Sequence, residues 1–274
     1  MIEQIHLNCT SSVIRLASDV VYMQKPYWCN SSAQLLKLSV LGPRCFYAYD
    51  PPAKPLPCIV FFCGGAFQKQ DRMVWLPELT YFAEHGYVVV TADYSTYAYT
   101  EFPEQLLEAK TVIKFLRSHA KDFSIDPQRI GVMGESAGGQ LAAWLAVTGD
   151  STSYSPKDFP GESDAVRCCA ALYPVTDVNA FPAPASIRIR MDNFPDTCTL
   201  VTEHTPPFFI AHGMEDHQVP YEQSVRLHNA LQEHGVSCRL VLVQGADHSD
   251  PRFFTHEIKE QILNFLDKSL KGDL

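Results

Sequence analysis

Gly131-Val132-Met133-Gly134-Glu135-Ser136-Ala137-Gly138-Gly139 is the stretch whose reading decides the fold. Before it, Arg129 to Met133 is a short apolar run that reads as a buried strand. After it, Gln140 to Val147 has helical composition, with Leu141, Trp144 and Leu145 expected along one face. Between strand and helix stands G-x-S-x-G, formed by Gly134, Ser136 and Gly138. A serine squeezed into so tight a turn needs small neighbours, and the two glycines supply the room. The turn lifts the hydroxyl above the sheet edge and points the first amides of the helix at whatever that oxygen attacks. The bare pattern recurs by chance in Gly- and Ser-containing loops. The strand before it and the helix after it make it specific.

The 274 residues fall within the range of one α/β domain, and 46% hydrophobic against 19% charged residues is enough apolar material for a large core. No repeat, low-complexity tract or long charge run divides residues 1–274, so one domain is expected. A formal net charge of −9 without a Lys/Arg stripe argues against nucleic acid or an anionic membrane as partner, because either needs a positive surface to displace counterions. Met1 to His6 lacks the basic start and apolar stretch of a secretory signal, and no run is long and apolar enough to span a bilayer. The nine cysteines are scattered, form no C-x-x-C pair and fall partly in apolar strand-like runs, which reads as buried free thiols in a reducing cytoplasm. Zinc-ligand spacings are missing, and neither metal nor cofactor is expected. The sequence leaves room for a homo-oligomer.

Upstream of the serine turn, Asp19 to Tyr22 and Leu35 to Leu41 read as strands, the second ending at Gly42-Pro43. Pro51 to Pro57 reads as a proline-rich turn. Cys58 to Phe62 is an apolar strand running into Cys63-Gly64-Gly65-Ala66. A helix is predicted over Leu76 to His85 with Gly86 as its stop, a β-branched strand over Tyr87 to Ala92, and a helix over Glu104 to Ala120 with Leu106, Ala109, Ile113 and Leu116 on one face. Asp126-Pro127 reads as the turn into the serine strand. Downstream, Val166 to Tyr173, Phe208 to Ala211 and Leu240 to Val243 read as strands. Tyr221 to Glu233 reads as a helix between Pro220 and Gly235, and Phe253 to Leu270 as a final helix. Residues 174–205 form the longest irregular stretch. Pro182, Pro184 and Pro195 oppose regular structure there, while Ile187 and Phe194 need a surface to lie against, so a short cap and a surface excursion are both open. The alternation predicts an α/β fold, a mostly parallel sheet with helices on both faces, whose sites gather at the carboxyl ends of strands.

A serine hydroxyl is a weak nucleophile near neutral pH and requires a base, which in turn requires an orienting carboxylate. Of the ten histidines, His85, His119 and His234 sit near predicted helix ends, His228 lies within a helix, and His6 and His204 lack context. His248 follows the last strand on a loop from which it can reach Ser136. For the acid, His212-Gly213-Met214-Glu215-Asp216-His217-Gln218-Val219-Pro220 follows the preceding strand, and Asp216 ranks ahead of Glu215, Asp247 and Asp250. His212 reads as a structural residue of this turn and His217 as a surface one. Donors for a developing oxyanion are assigned to the amides of Gly65, Ala66 and Ala137. Cys63 to Ala66 is not a phosphate-binding loop, since no Lys-Ser/Thr follows. Trp75, Tyr94 and Phe181 lie near the expected pocket and read as packing residues.

Together these residues resemble the α/β-hydrolase superfamily, in the esterase and lipase branch related to hormone-sensitive lipase and acetyl-xylan esterase-like enzymes. The resemblance runs from about residue 35 onward. It rests on Cys63-Gly64-Gly65-Ala66, Phe102-Pro103, Gly134 to Gly139, Thr205-Pro206-Pro207 through Val219-Pro220, and His248. It implies hydrolysis of carboxylic esters through an acyl-enzyme, with a small-molecule ester as partner and no metal or cofactor. The family's oxyanion loop usually reads His-Gly-Gly-Gly, whereas Cys63 and Ala66 occupy the outer positions here. The backbone amides survive that change, but the loop must be anchored differently. The short N-terminal stretch and residues 174–205 favour small esters, with acetylated carbohydrate one candidate. Two other readings stand beside this one. The same triad cleaves amides, and a catalytically silent receptor can use the same fold.

Overall fold

The computed structural model describes residues 2–6, 13–27, 32–43, 54–68, 70–96, 101–180 and 193–272. Cys9, Cys29, Cys45, the start of the proline-rich turn at Pro51 to Ala53, and Phe181, Pro182, Pro184 and Ile187 lie outside these residues. Among the described residues eight strands form one sheet: β1 (Ile14–Tyr27), β2 (Ser32–Pro43), β3 (Leu56–Phe62), β4 (Val88–Ala92), β5 (Ile125–Glu135), β6 (Cys169–Leu172), β7 (Phe208–Gly213) and β8 (Cys238–Val243). Their order is β1-β2-β4-β3-β5-β6-β7-β8. β2 pairs antiparallel with β1 and β4, and every pairing from β4 to β8 is parallel.

The sheet is covered on both sides, which is why its strands read as unbroken apolar runs rather than as alternating ones. Cys58, Val60 and Phe62 of β3 enter one core together with Val132 of β5 and Ile210 of β7, while Ile59 and Phe61 enter the other with Met133 and Phe209. Three helices, α2 (Glu104–Ser118), α3 (Ala137–Val147) and α4 (Glu222–Glu233), fill the first core. The second is filled by α1 (Leu76–Glu84) and α5 (His256–Leu266). Where the sequence suggests a single apolar face on α3, all eleven of its residues are buried, because the helix is packed between sheet and neighbouring helices. Its first turn lies so close to the sheet that a Cβ on Gly138 would sit 2.1 Å from the Phe62 carbonyl oxygen.

Several boundaries differ from the sequence reading. β1 spans fourteen residues rather than the four at Asp19 to Tyr22, because pairing with β2 carries it on through two register shifts. Asp126-Pro127 lies inside β5, where pairing moves from Leu56 with Ile125 to Cys58 with Ile130, so the expected turn is absorbed as an irregularity within the strand. β6 is limited to Cys169–Leu172, since only those residues find partners on both β5 and β7. The final helix is divided into a 3-10 turn at Pro251–Phe254, α5, and a π-type turn at Asp267–Lys271. His85, His119 and His234 do end helices, and each ring accounts for a carbonyl of the last turn through Nδ1, at Tyr81, Phe115 and Ala230. Among the described residues no helix is long and apolar enough to cross a membrane.

The first core also holds a buried ion pair. Lys110 of α2 lies 2.8 Å from Asp164 and donates to the Thr148 carbonyl at the end of α3. Burial pushes the Lys110 ammonium down, against the pull of Asp164. Removing one member leaves the other charge uncompensated, so Asp164→Ala is expected to lower stability in urea unfolding by about 3–5 kcal/mol, with Lys110→Met/Asp164→Leu recovering much of it. Gly138→Ala is expected to yield no correctly folded protein by circular dichroism and gel filtration, since main chain must yield to admit the methyl group.

Candidate active site

The chain leaves β5 through a turn at Ser136 with φ 53° and ψ −123°. A Cβ on Gly134 would meet the Gly138 carbonyl oxygen at 2.3 Å, so the turn closes only without side chains on either flank. The Ser136 amide donates to the Leu172 carbonyl at 2.9 Å, tying the turn to β6. Ala66, Phe67, Tyr173 and Ser249 also hold positive φ. Left-handed non-glycine residues are costly and persist only where packing over-determines them; these four lie on loops around Ser136, while Asp19, Ser124, Asp150 and Phe159 hold positive φ elsewhere.

Ser136 Oγ lies 2.8 Å from His248 Nε2, and His248 Nδ1 lies 2.7 Å from Asp216 Oδ2. A carboxylate can only accept, so Nδ1 carries the proton and Nε2 is left to accept from the serine hydroxyl. Asp216 Oδ1 accepts from the amides of Gln218 and Val219 at 2.9 and 2.7 Å. Burial raises the Asp216 carboxyl, but contacts to His212 and His248 and the Val219 amide outweigh it and hold the group well below the usual carboxylate range. The acid and histidine loops are packed together at Gly213, where a Cβ would lie 2.2 Å from the Ala246 carbonyl oxygen. Asp247, a rival for the acid, accepts instead from the His217 and His248 amides, and Asp250 accepts from Arg252. Glu215 joins the loops through its amide, which donates to the Ala246 carbonyl. The ring of Tyr173 stands edge-on to His248 with centroids 4.9 Å apart.

The loop after β3 is held by residues to which the sequence reading gives no such part. Glu135, the second residue of G-x-S-x-G, is buried and accepts from the Gly64 amide, from Trp75 Nε1 at 3.1 Å and from the Cys63 thiol at 3.7 Å. The thiol is pushed up to about 12 by burial first and by Glu135 second, so it remains a donor. A Cβ on Gly64 would lie 2.8 Å from the Glu135 carbonyl oxygen, a main-chain atom, as well as 2.7 Å from both carboxylate oxygens, so the position requires glycine. Tyr94 donates to the Cys63 carbonyl at 2.6 Å, and Arg72 Nη1 donates to both carboxylate oxygens of Asp93. Trp75 stacks on Phe254, just beyond the histidine loop, with centroids 4.1 Å apart. Trp75 and Tyr94 thus add hydrogen bonds to the packing expected of them, and Phe181 lies outside the described residues. The available signal was the carboxylate at Glu135, which needs a donor in a buried turn, combined with a cysteine where the loop usually has histidine. Among the described residues, the amides of Gly65, Ala66 and Ala137 have no acceptor within the protein.

The model of one protein family, BD-FAE, matches residues 46–231, more than half of the chain. The chain belongs to the BD-FAE family. The prolyl oligopeptidase family model matches residues 190–273. Among solved structures, an acetyl ester-xyloside bifunctional hydrolase from Caldicellulosiruptor lactoaceticus is 26% identical, with a TM-score of 0.77 over 93% of this chain and 97% of its own. A thermophilic esterase from the Planctomycetes species Thermogutta terrifontis, with butyrate bound, is 27% identical, with a TM-score of 0.68 over 90% of this chain and 92% of its own. Esterase LipC of Mycobacterium tuberculosis is 28% identical over 193 residues, covering 64% of this chain and 48% of LipC. The chain spans about half the length of the curated relatives it matches first. This BD-FAE member is an α/β-hydrolase, with the expected mostly parallel sheet and similarity to esterases.

Two outcomes test the geometry of this BD-FAE site. A carboxyl held low in the folded state adds stability at pH values above its unfolded value of about 3.9 and loses it as pH falls. Asp216→Asn is therefore expected to flatten the acid branch of stability against pH, as read by urea unfolding. Glu135→Leu removes the acceptor shared by Gly64, Trp75 and Cys63 and is expected to slow phosphonylation of Ser136 by a fluorophosphonate about 10- to 100-fold. Glu135→Gln, which retains an acceptor oxygen, should lose less in the same labelling time course.

Proposed function

We propose that this protein is a serine carboxylesterase that hydrolyses short-chain acyl esters, with acetylated carbohydrate as the candidate substrate class. The observation that carries the reading is the continuous hydrogen-bonded line from Ser136 Oγ through His248 to Asp216 Oδ2, beside a glycine loop whose Gly65 and Ala66 amides meet no acceptor among the described residues. In this reading Ser136, His248 and Asp216 are the catalytic residues, and the amides of Gly65, Ala66 and Ala137 form the oxyanion hole. The named activities of the bifunctional hydrolase and the thermophilic esterase support the ester and acetyl assignments.

The chemistry follows from the geometry. His248 Nε2 takes the Ser136 proton as Oγ attacks the ester carbonyl, and Asp216 steadies the imidazolium that forms. The carbonyl oxygen gains negative charge where the three amides can receive it, and one such donor is typically worth about 3–4 kcal/mol of barrier. The intermediate collapses by breaking the bond to the alcohol oxygen, which leaves with the proton from His248. Water then gives a proton to His248 as it attacks the acyl-serine carbonyl, and the second intermediate collapses by breaking the bond to Oγ, which takes that proton back from His248, so that the carboxylic acid and free Ser136 are released.

The remaining features fit one α/β-hydrolase domain over residues 1–274, with 174–205 as a short cap. The described part of that segment places Phe194 against Phe67 and Trp144, with centroids 5.3 and 4.8 Å apart. Free Cys58, Cys63, Cys168 and Cys169, all buried, suit a cytoplasmic setting. The prolyl oligopeptidase match over residues 190–273 favours a second reading, an amidase or peptidase using the same triad.

With p-nitrophenyl esters the expected order of turnover is acetate, then butyrate, then octanoate, and Ser136→Ala should reduce kcat by about 10⁴-fold or more. Undiminished turnover in that variant would refute the assignment of Ser136. Faster cleavage of p-nitroanilides than of esters would favour the amidase.

A further inference from the structure

The most unusual group near Asp216 is a second histidine that the proposed mechanism does not use. His212 is the fifth residue of β7 and is fully buried. Its Nδ1 lies 2.6 Å from Ser224 Oγ on α4, and its Nε2 lies 2.9 Å from the Val219 carbonyl and 3.2 Å from Asp216 Oδ2. Carbonyl and carboxylate oxygens only accept, so Nε2 carries the proton and Nδ1 is free to accept from the serine hydroxyl. One N–H therefore does two things. It pins the carbonyl of Val219, whose amide donates to Asp216 Oδ1, and it turns its positive edge toward Oδ2, the atom that binds His248. Ser224 fixes the ring from behind.

We propose that His212 is a positioning residue for the esterase reaction, holding the Asp216 turn in register and sharing Oδ2 so that Asp216 orients His248 without making it too strong a base. The proposal rests on the esterase reading of the site. The physical reason is competition: an acceptor oxygen facing a second N–H has less capacity for the first. Loss of the His212 proton would let Asp216 pull harder on His248 Nδ1–H, raising the basicity of His248 while the loosened turn misaligns it. The variants below leave the other groups around the pair chemically unchanged. The Tyr173 ring faces His248, Glu135 lies beyond that ring, and Asp247 accepts the His248 amide while engaging His217.

The test compares full-length wild type with His212→Leu, His212→Gln and Ser224→Ala. Glutamine can again donate toward Val219 and Asp216 and accept from Ser224, whereas leucine cannot. The expected result for His212→Leu is a fall in kcat of about 10- to 100-fold with little change in KM. The acid limb of its kcat/KM profile should move to higher pH by about half a unit. His212→Gln should recover most of both effects, and Ser224→Ala should show smaller changes in the same direction. The downfield proton resonance of His248 Nδ1–H, which needs no turnover, should move in His212→Leu and stand near its wild-type position in His212→Gln. If His212→Leu does not fold, Ser224→Ala and His212→Gln decide alone. An unmoved acid limb and resonance in Ser224→Ala, or a glutamine variant with a lowered kcat and an unmoved limb, overturns the proposal, because a merely structural histidine predicts that pattern. A wild type without ester turnover would instead sink the esterase reading while leaving the resonance test intact.

Discussion

A methyl group on Gly138 would collide with the Phe62 carbonyl, and one on Gly134 with Gly138 itself. This contact of main chain on main chain is the constraint on which the rest of the structure depends. It allows β3, β5 and α3 to meet within one turn, and in doing so forces Ser136 into a left-handed backbone that only dense packing can hold. The strain is opposed by a helix buried on every side and by the Ser136 amide bonded to β6. The serine is thus fixed by backbone before any side chain touches it. A hydroxyl held this way does not have to be ordered at the moment of reaction, which is where much of the entropic advantage of a preformed site lies.

The same device recurs on the other side of the site. Gly213 lets the acid loop approach Ala246 at the base of the histidine loop, so Asp216 and His248 are brought together by touching backbones. Charged neighbours then consolidate the loops. Asp247 bonds both the His217 and His248 amides, and Arg252 joins Asp250 to the Gly245 carbonyl. These carboxylates compete poorly for the His248 ring because amides of both loops and Arg252 already engage them. Asp216, its side chain shielded from solvent and surrounded by donors, is the one that faces Nδ1.

Around the glycine loop the chain solves a different problem. With cysteine at position 63, the loop is tied by Glu135, which reaches across from the serine turn to Gly64, Cys63 and Trp75. Trp75 in turn leans on Phe254 beyond the histidine loop. One buried carboxylate therefore links the elements that carry the candidate donors, the candidate nucleophile and the candidate base. A network of this kind is costly if incomplete and rigid when satisfied, which suits a site that needs fixed dipoles.

By itself the sequence determined the alternation of strands and helices, because a sheet buried on both faces leaves long apolar runs that local composition reveals. It also singled out Ser136, Asp216 and His248, since each stands in a loop directly after such a run and only certain residue types can do that chemistry. Local composition could not set the ends of β1 and β6, which depend on how far a partner strand extends. Nor could it show Glu135 beneath the glycine loop, or which atoms His212 meets within the turn where the sequence places it. The partners of Glu135 lie on segments that only the folded backbone brings within hydrogen-bonding distance, and Ser224 reaches the His212 ring from the following helix. Tertiary structure decided those contacts because hydrogen bonds are satisfied in space, whereas hydrophobic periodicity is written along the chain.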